Sequence, residues 1–264
     1  MDTLEDVRSP AEIYDARFVP ALFAQWGPIV AAEAGVSKGD RVLDVACGTG
    51  ALTLAAAKIA GSSGAVVGLD PNSDMLAVAR AKPAAIEWME GMAESLPFPD
   101  NRFDAVVSQF GFMFFEDKRK AISEMMRVLK PGGRLAVAVC DAVENSPGYS
   151  AFALLLDRLF GKEVGNAFRA PFSLGNAGRL NRICDEANLA GTEIVRRNGK
   201  VRFASIDDLV STERACVWTL GGILDDQQFE RLRKESQTAL CPFLVGDGAI
   251  EFDMPALIIS AGKF

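Results

Sequence analysis

Apolar residues in the first half of the chain fall into short, nearly continuous runs, separated by stretches in which they recur every three or four positions. Val42, Leu43, Val45 and Ala46 form one run, interrupted only by Asp44. Ala65–Leu69 and Leu135–Val139 carry others, and Ile86–Glu90 and Phe103–Phe110 read as the third and fourth strands, with acids at Glu87, Glu90 and Asp104. Runs of this length without alternation suit strands buried on both faces of a parallel sheet. Between them, Ala51–Ala60 predicts a helix of good formers that stops at Gly61, and Asn72-Ser73-Asp74 caps a second helix running to Arg80. Glu116–Lys130 predicts a third, with Ile122, Met125, Met126 and Leu129 on one stripe. Pro131-Gly132-Gly133 then turns the chain into a fifth strand, Arg134–Cys140. Five strands alternating with helices predict an α/β fold with a doubly wound sheet.

The flanks are less regular. Residues 11 to 35 read as helical, with Pro20 and the pair Gly27-Pro28 breaking the run. Tyr14, Phe18 and Trp26 lie on this segment, either packed on the domain edge or in a lid that touches ligand. Residues 141 to 190 are rich in phenylalanine, Phe168 and Phe172 included. Thr192–Phe203 reads as a strand region broken by Asn198-Gly199, followed by two helical stretches over about 205 to 241. Ile250–Met254 and Ala256–Ser260 read as two final strands, expected to be antiparallel neighbours.

Chemistry concentrates where the first strand meets its turn. Gly48 and Gly50 allow a tight bend and close approach of a ligand, but a dinucleotide fingerprint would want a third glycine where Thr53 stands. A pyrophosphate at the helix start would be repelled by Asp44, whereas a ligand carrying an ammonium and a sulfonium would be attracted. Asp44 therefore favours S-adenosylmethionine over NAD. Asp70 closes the second strand about 20 residues past the glycines, where nucleotide folds hold a ribose diol. The fourth strand reads as Phe103–Phe110, and its end faces the same crevice, which puts Gln109 beside the transferred group at the switch point of the sheet. Phe112, in the aromatic run that follows, is the leading candidate there for an apolar substrate pocket or a cation–π contact.

Composition narrows the function further. The 264 residues are 49% hydrophobic, enough for a sizeable core, with a formal charge of −7 that argues against a nucleic-acid partner. Five scattered cysteines without a C-x-x-C pair indicate neither a disulfide framework nor a zinc site. The opening Met1–Asp6 is acidic where a signal peptide would be basic, and no apolar run approaches the ~18 residues of a membrane span. The expected location is cytoplasmic, and oligomeric state leaves no mark in the sequence. Histidine is absent, which removes the commonest general base and metal ligand and favours a reaction that needs mainly alignment of two reactants, such as methyl transfer.

Val42–Gly50, Gly68-Leu69-Asp70, Leu96–Asp100 with Phe103-Asp104, and Val128–Gly133 together resemble the class I S-adenosylmethionine-dependent methyltransferases. The ubiquinone and menaquinone biosynthesis branch (methyltransferase type 11) is the nearest in pattern. The resemblance implies a seven-stranded Rossmann-like sheet, order 3-2-1-4-5-7-6 with the last strand antiparallel, and a helical cap. It divides the chain into a lid (1–36), a cofactor core (37–141), cap insertions (142–190 and 205–249) and closing strands (191–204 and 250–264). Carried over by position, Asp44, Ala46, Gly48 and Gly50 serve the methionine and ribose side, and Asp70 the ribose hydroxyls, with Met75 against the nucleoside and Pro71 also among the cofactor-binding residues. Met92 and Ala93 serve the adenine and Gln109 the methionine end. The family usually has Gly-Asp-Ala where this chain has Gly91-Met92-Ala93, so an aspartate acceptor for the adenine amino group is missing.

The implied reaction transfers a methyl group to the oxygen, nitrogen or carbon of a small, partly apolar acceptor, releasing S-adenosylhomocysteine. No residue is assigned as catalytic and none to a metal. Tyr14, Asp141 and Glu144 are the available bases, each better explained as structural or surface residues. Met92 leaves open a protein that binds the cofactor without catalysis. A nicotinamide-dependent oxidoreductase is the weaker rival.

Overall fold

The computed structural model of the chain describes residues 9–264, so the acidic opening Met1–Asp6 lies outside the described residues. The strands are β1 (Arg41–Val45), β2 (Ala65–Asp70), β3 (Glu87–Glu90), β4 (Phe103–Gln109), β5 (Leu129–Cys140), β6 (Glu193–Arg197), β7 (Lys200–Phe203), β8 (Ile250–Asp253) and β9 (Ala256–Gly262). The chain divides into two compact units.

One unit comprises Phe23–Val139, Asn176–Arg197 and Ala256–Phe264. Its seven-stranded sheet has the order β3-β2-β1-β4-β5-β9-β6. β1 pairs in parallel with both β2 and β4, β4 with β5, and β6 runs antiparallel to β9. Val42, Leu43, Val45, Val106, Val107 and Leu135 are wholly buried, as strands covered on both faces require. The order places β1 beside β4, where the winding reverses, and the crevice outside their carboxyl ends is the ligand site of such sheets. Ala51–Ala60 is helical and ends at Gly61, and Asn72 caps Ser73–Arg80 through the amides of Asp74 and Met75. Trp26–Glu33 and Ala177–Glu186, read from sequence as lid and insertion, are helices of this unit.

The other unit comprises the chain up to Leu22, Cys140–Gly175 and Asn198–Pro255. Helices Pro147–Phe160, Lys162–Arg169, Ile206–Ala215 and Asp226–Ala239 pack with a two-stranded sheet of β7 and β8. Tyr149 lies at its centre, with its ring 5.6 Å from Phe168 and 5.0 Å from Phe252.

Three expectations need correction. Pro20 does not break the N-terminal run: it sits inside a wide π-helical stretch, Tyr14–Phe23, and the break falls after Phe23. Gly27 and Pro28 then lie in the first turn of Trp26–Glu33, where proline's missing N–H has no intrahelical acceptor to lose. The third amphipathic helix covers Lys118–Val128 rather than Glu116–Lys130, because Asp117 caps the amide of Lys120 and Leu129 already pairs with Phe103 as β5. The two final strands are not neighbours. β8 pairs with β7 and β9 with β6, so the sixth and seventh strands of the large sheet are Glu193–Arg197 and Ala256–Gly262. Asn198-Gly199 and Met254-Pro255 end the respective ladders, and Pro255 has no N–H to give to one.

Candidate active site

The site grows from the carboxyl end of β1. Ala46, Gly48 and Gly50 take φ of 60°, 55° and 91°, so the chain leaves the strand through three left-handed residues. Glycine is required at position 50 for a second reason: a Cβ there would lie 2.4 Å from the indole of Trp88 on β3. Ala46 and Phe110 (φ 55°) are non-glycine residues held in this strained region just past the ends of β1 and β4. The two turns touch, since a Cβ on Gly111 would meet the Ala46 Cβ at 2.5 Å.

Two carboxylates flank the turn. Asp44 is 1% exposed; its Oδ2 accepts from Thr53 Oγ1 at 2.6 Å, while its Oδ1 has no partner among the described residues. Burial raises its pKa to about 7; the Thr53 hydroxyl pulls it down and the charge of Asp70 pushes it up. Asp70 accepts from Gly48 N–H at 2.8 Å and from Asn72 N–H at 2.9 Å, with burial raising its pKa against those two amides. Each Asp70 oxygen thus retains a lone pair for a further donor.

Gln109 donates through Nε2 to the Phe23 carbonyl at 3.1 Å, which leaves its buried Oε1 unpartnered. Met75 is buried one turn into its helix, Pro71 is exposed, and Ala93 is buried beside an exposed Met92. The structure thus gathers Asp44, Ala46, Gly48, Gly50 and Asp70 around one turn, with Gln109 at the neighbouring strand end. The aromatic candidates sit differently. Trp26 and Phe112 are fully buried, Trp26 edge-on to Phe110 and Phe112 against Phe115. Phe168 and Phe172 pack on Tyr149, and Phe18 on Phe203. Only Tyr14 is partly exposed, at a small apolar cavity it shares with Ile13, Cys216 and Trp218. Phe18, Phe112, Phe168 and Phe172 are core side chains here, with no open face for an acceptor, and Trp26 is buried with its Nε1 unpartnered.

Of the three bases, Asp141 accepts from Ala142 N–H at 2.7 Å and Asn145 Nδ2 at 3.1 Å as the cap of a turn, and Glu144 is exposed. Several contributors escaped the sequence reading. Thr53 registered only as a missing glycine, yet it supplies the hydroxyl on Asp44. Lys82 Nζ donates to the Thr49 carbonyl at 2.7 Å, placing a cation on the glycine turn. Ser108, fully buried in β4 after the apolar Ala105-Val106-Val107, has an unpartnered hydroxyl, and that polar residue is a signal the sequence did contain.

Two acids around a left-handed turn, one with a buried free oxygen, fit a nucleoside carrying a cationic head and reject a pyrophosphate. The sheet order is that of the class I S-adenosylmethionine-dependent methyltransferase fold. The family model of the ubiE/COQ5 methyltransferase family matches residues 20–167 of the 264, and the chain belongs to that family. The ubiquinone/menaquinone biosynthesis C-methyltransferase UbiE of Francisella philomiragia is 48% identical over 118 residues, 42% of this chain and 47% of that protein. UbiE of Pseudomonas paraeruginosa is 43% identical over 141 residues, 50% of this chain and 55% of its own length. The chain thus spans about half the length of the curated relatives it matches. Among solved structures, the methyltransferase-fold protein BH2331 from Bacillus halodurans C-125 superposes with a TM-score of 0.60 at 24% identity, covering 90% of this chain and 98% of that one, a likeness of fold. S-adenosylmethionine is the cofactor that goes with this family and fold.

Proposed function

We propose that the chain transfers the methyl group of S-adenosylmethionine to a small, partly apolar acceptor. The observation that carries this reading is the unpartnered Oδ1 of buried Asp44. A buried carboxylate oxygen without a donor is costly, and an ammonium group settles that cost. When bound, S-adenosylmethionine supplies an activated methyl on a sulfonium, open to in-line displacement by a nucleophilic acceptor atom. The chain's own part is positioning: Asp44 takes the cationic head, Asp70 the ribose hydroxyls, Met75 the nucleoside face, and backbone at Met92 and Ala93 the adenine. Alignment and exclusion of water then supply most of the acceleration.

The relatives are named for C-methylation in ubiquinone and menaquinone biosynthesis, which makes an electron-rich quinol ring the first acceptor class to test. Acceptor recognition is assigned to the segments 142–190 and 205–249. The protein is placed in the cytoplasm with reduced thiols and no nucleic-acid partner. No helix among the described residues is long and apolar enough to cross a membrane.

The test is incubation of the purified chain with methyl-labelled S-adenosylmethionine and a panel of quinols, phenols and amines. Label in the organic phase, matched by S-adenosylhomocysteine release, supports the reading. Tight cofactor binding with no transfer across the panel favours a non-catalytic binding protein.

A further inference from the structure

Five buried side-chain polar atoms in the unit that carries the large sheet find no protein partner: Trp26 Nε1, Asp44 Oδ1, Thr49 Oγ1, Ser108 Oγ and Gln109 Oε1. Four belong to the carboxyl ends of β1 and β4 or the turn after β1. The fifth, Trp26, is far away in sequence but not in space. Its ring lies 5.6 Å from Phe110, the residue after Gln109. Gln109 itself holds the carbonyl of Phe23, just upstream. On the other side, Gly27 approaches the first turn of Ala51–Ala60 so closely that a Cβ there would lie 3.0 Å from the Ala51 carbonyl and 2.9 Å from the Ala55 Cβ. The segment Phe23–Gly27 is therefore pinned between the end of β4 and the helix that follows the glycine turn. Trp26 is the residue between those two anchors.

The unpartnered atoms sort by chemistry. Asp44 Oδ1 and Gln109 Oε1 are acceptors, Thr49 and Ser108 can act either way, and an indole N–H only donates. A buried donor without an acceptor is as unfavourable as the converse, so the site asks for a ligand bearing an anionic oxygen as well as a cation. The methionyl end of the cofactor is such a zwitterion. We propose that Trp26, read from sequence as a substrate-pocket residue, is instead a cofactor-binding residue whose Nε1–H donates to the methionyl carboxylate. Asp44 and Gln109 take the ammonium beside it. This assignment rests on the methyltransferase reading above.

Titration calorimetry with two ligands tests it. S-adenosylhomocysteine carries the amino-acid head, and 5′-methylthioadenosine has the same nucleoside without it. Trp26→Phe keeps an aromatic ring and drops the N–H. It is expected to weaken S-adenosylhomocysteine binding by about tenfold or more, the loss typical of a hydrogen bond to a charged group, and to leave methylthioadenosine within about twofold. Unchanged S-adenosylhomocysteine affinity overturns the proposal. Equal weakening of both ligands also overturns it, because it marks a packing role. Should Trp26→Phe not fold, benzothienylalanine at position 26 retains the bicyclic shape, lacks the N–H, and is read by the same criteria. Wild-type protein that binds neither S-adenosylhomocysteine nor S-adenosylmethionine removes the methyltransferase reading itself, and this assignment with it.

Discussion

Thr53 Oγ1 lies 2.6 Å from Asp44 Oδ2 and donates a hydrogen bond to the buried carboxylate, with the Thr53 backbone on the same group, while Oδ1 has no partner among the described residues. The pair ties the first strand to the helix after the glycine turn. It also fixes which oxygen of Asp44 is spoken for and which is left for a ligand. Where a dinucleotide site would have a third glycine for close helix packing, this chain has a hydroxyl that holds an acid in place.

Thr53→Val keeps the volume and removes the donor. Asp44 then keeps only the Thr53 backbone contact and has a stronger preference for its protonated form. S-adenosylmethionine affinity at pH 7.5 is expected to fall by about tenfold, roughly 1.4 kcal/mol, while Thr53→Ser stays within about threefold of wild type. Calorimetric titration of the three proteins checks this, and a Val variant that binds as well as wild type would remove Thr53 from the site.

Burial pushes the Asp44 pKa from an ordinary 3.8 to about 7, so the cofactor-free protein carries this group largely protonated below neutrality. A cationic ligand selects the carboxylate form. Binding must therefore release a proton when the pH is below about 7, and affinity must drop by up to about tenfold per unit as the pH falls further. Calorimetry at pH 6 in two buffers of different ionisation enthalpy reads the released proton directly, and Asp44→Asn should abolish it. The sign for stability is opposite to that of a paired surface acid. Between about 4 and 7 the native state holds a proton that the unfolded chain has lost, so this group's contribution to stability declines as pH rises through that window. Melting temperatures of Asp44→Asn should be flatter over the same range.

The nucleus of this site was legible because its signals are local. An apolar run, two glycines and an acid at Asp44 through Gly50 specify strand, turn and helix without reference to anything distant, and Asp70 follows from strand spacing. What escaped depends on side chains meeting from far apart in sequence. Nothing in the surroundings of Trp26 distinguishes a core indole from a ligand donor, and nothing near Lys82 says that its amine reaches the Thr49 carbonyl. Phe112 was the leading aromatic candidate for a pocket, but an apolar ring is equally suited to the core, where it lies. The pairing of β8 with β7 and of β9 with β6 is likewise not written in the alternation of any one strand, which sets faces and not partners.

A second buried acid sits in the other unit. Glu213 is 2% exposed, with Thr219 Oγ1 donating to its Oε2 at 2.9 Å and the Tyr149 hydroxyl on the same carboxylate. Burial raises its pKa to about 7, and the two hydroxyls only partly counter this. The native state again holds a proton that the unfolded chain gives up above its ordinary 4.5. Glu213→Gln has no proton to lose, so its stability relative to wild type should improve as pH rises from 5 to 8. Tyr149→Phe leaves the carboxylate one donor short and should cost about 1–2 kcal/mol at pH 8. Denaturant unfolding at both pH values measures each change, and parallel pH dependence for wild type and Glu213→Gln would show that Glu213 is already ionised in the native state.

Met92 stands where the resemblance implies an aspartate, and it offers a gain rather than a loss. The residue is 45% exposed, in a tight loop bridged to Ser95, and Gly91 N–H donates to the Asp70 carbonyl at 3.2 Å. The loop is thus anchored next to the ribose acid, while a methionine at its tip offers no strong acceptor to an adenine amino group. An aspartate fits this exposed position without burying a charge. Met92→Asp is expected to tighten S-adenosylhomocysteine binding by about threefold to tenfold, the range of one hydrogen bond to a charged group after desolvation. The inosine analogue, which has a carbonyl where adenine has its amino group, should gain nothing and be repelled. Equal affinity of Met92→Asp and wild type for both ligands would place the base away from this loop and take Met92 and Ala93 out of the adenine site.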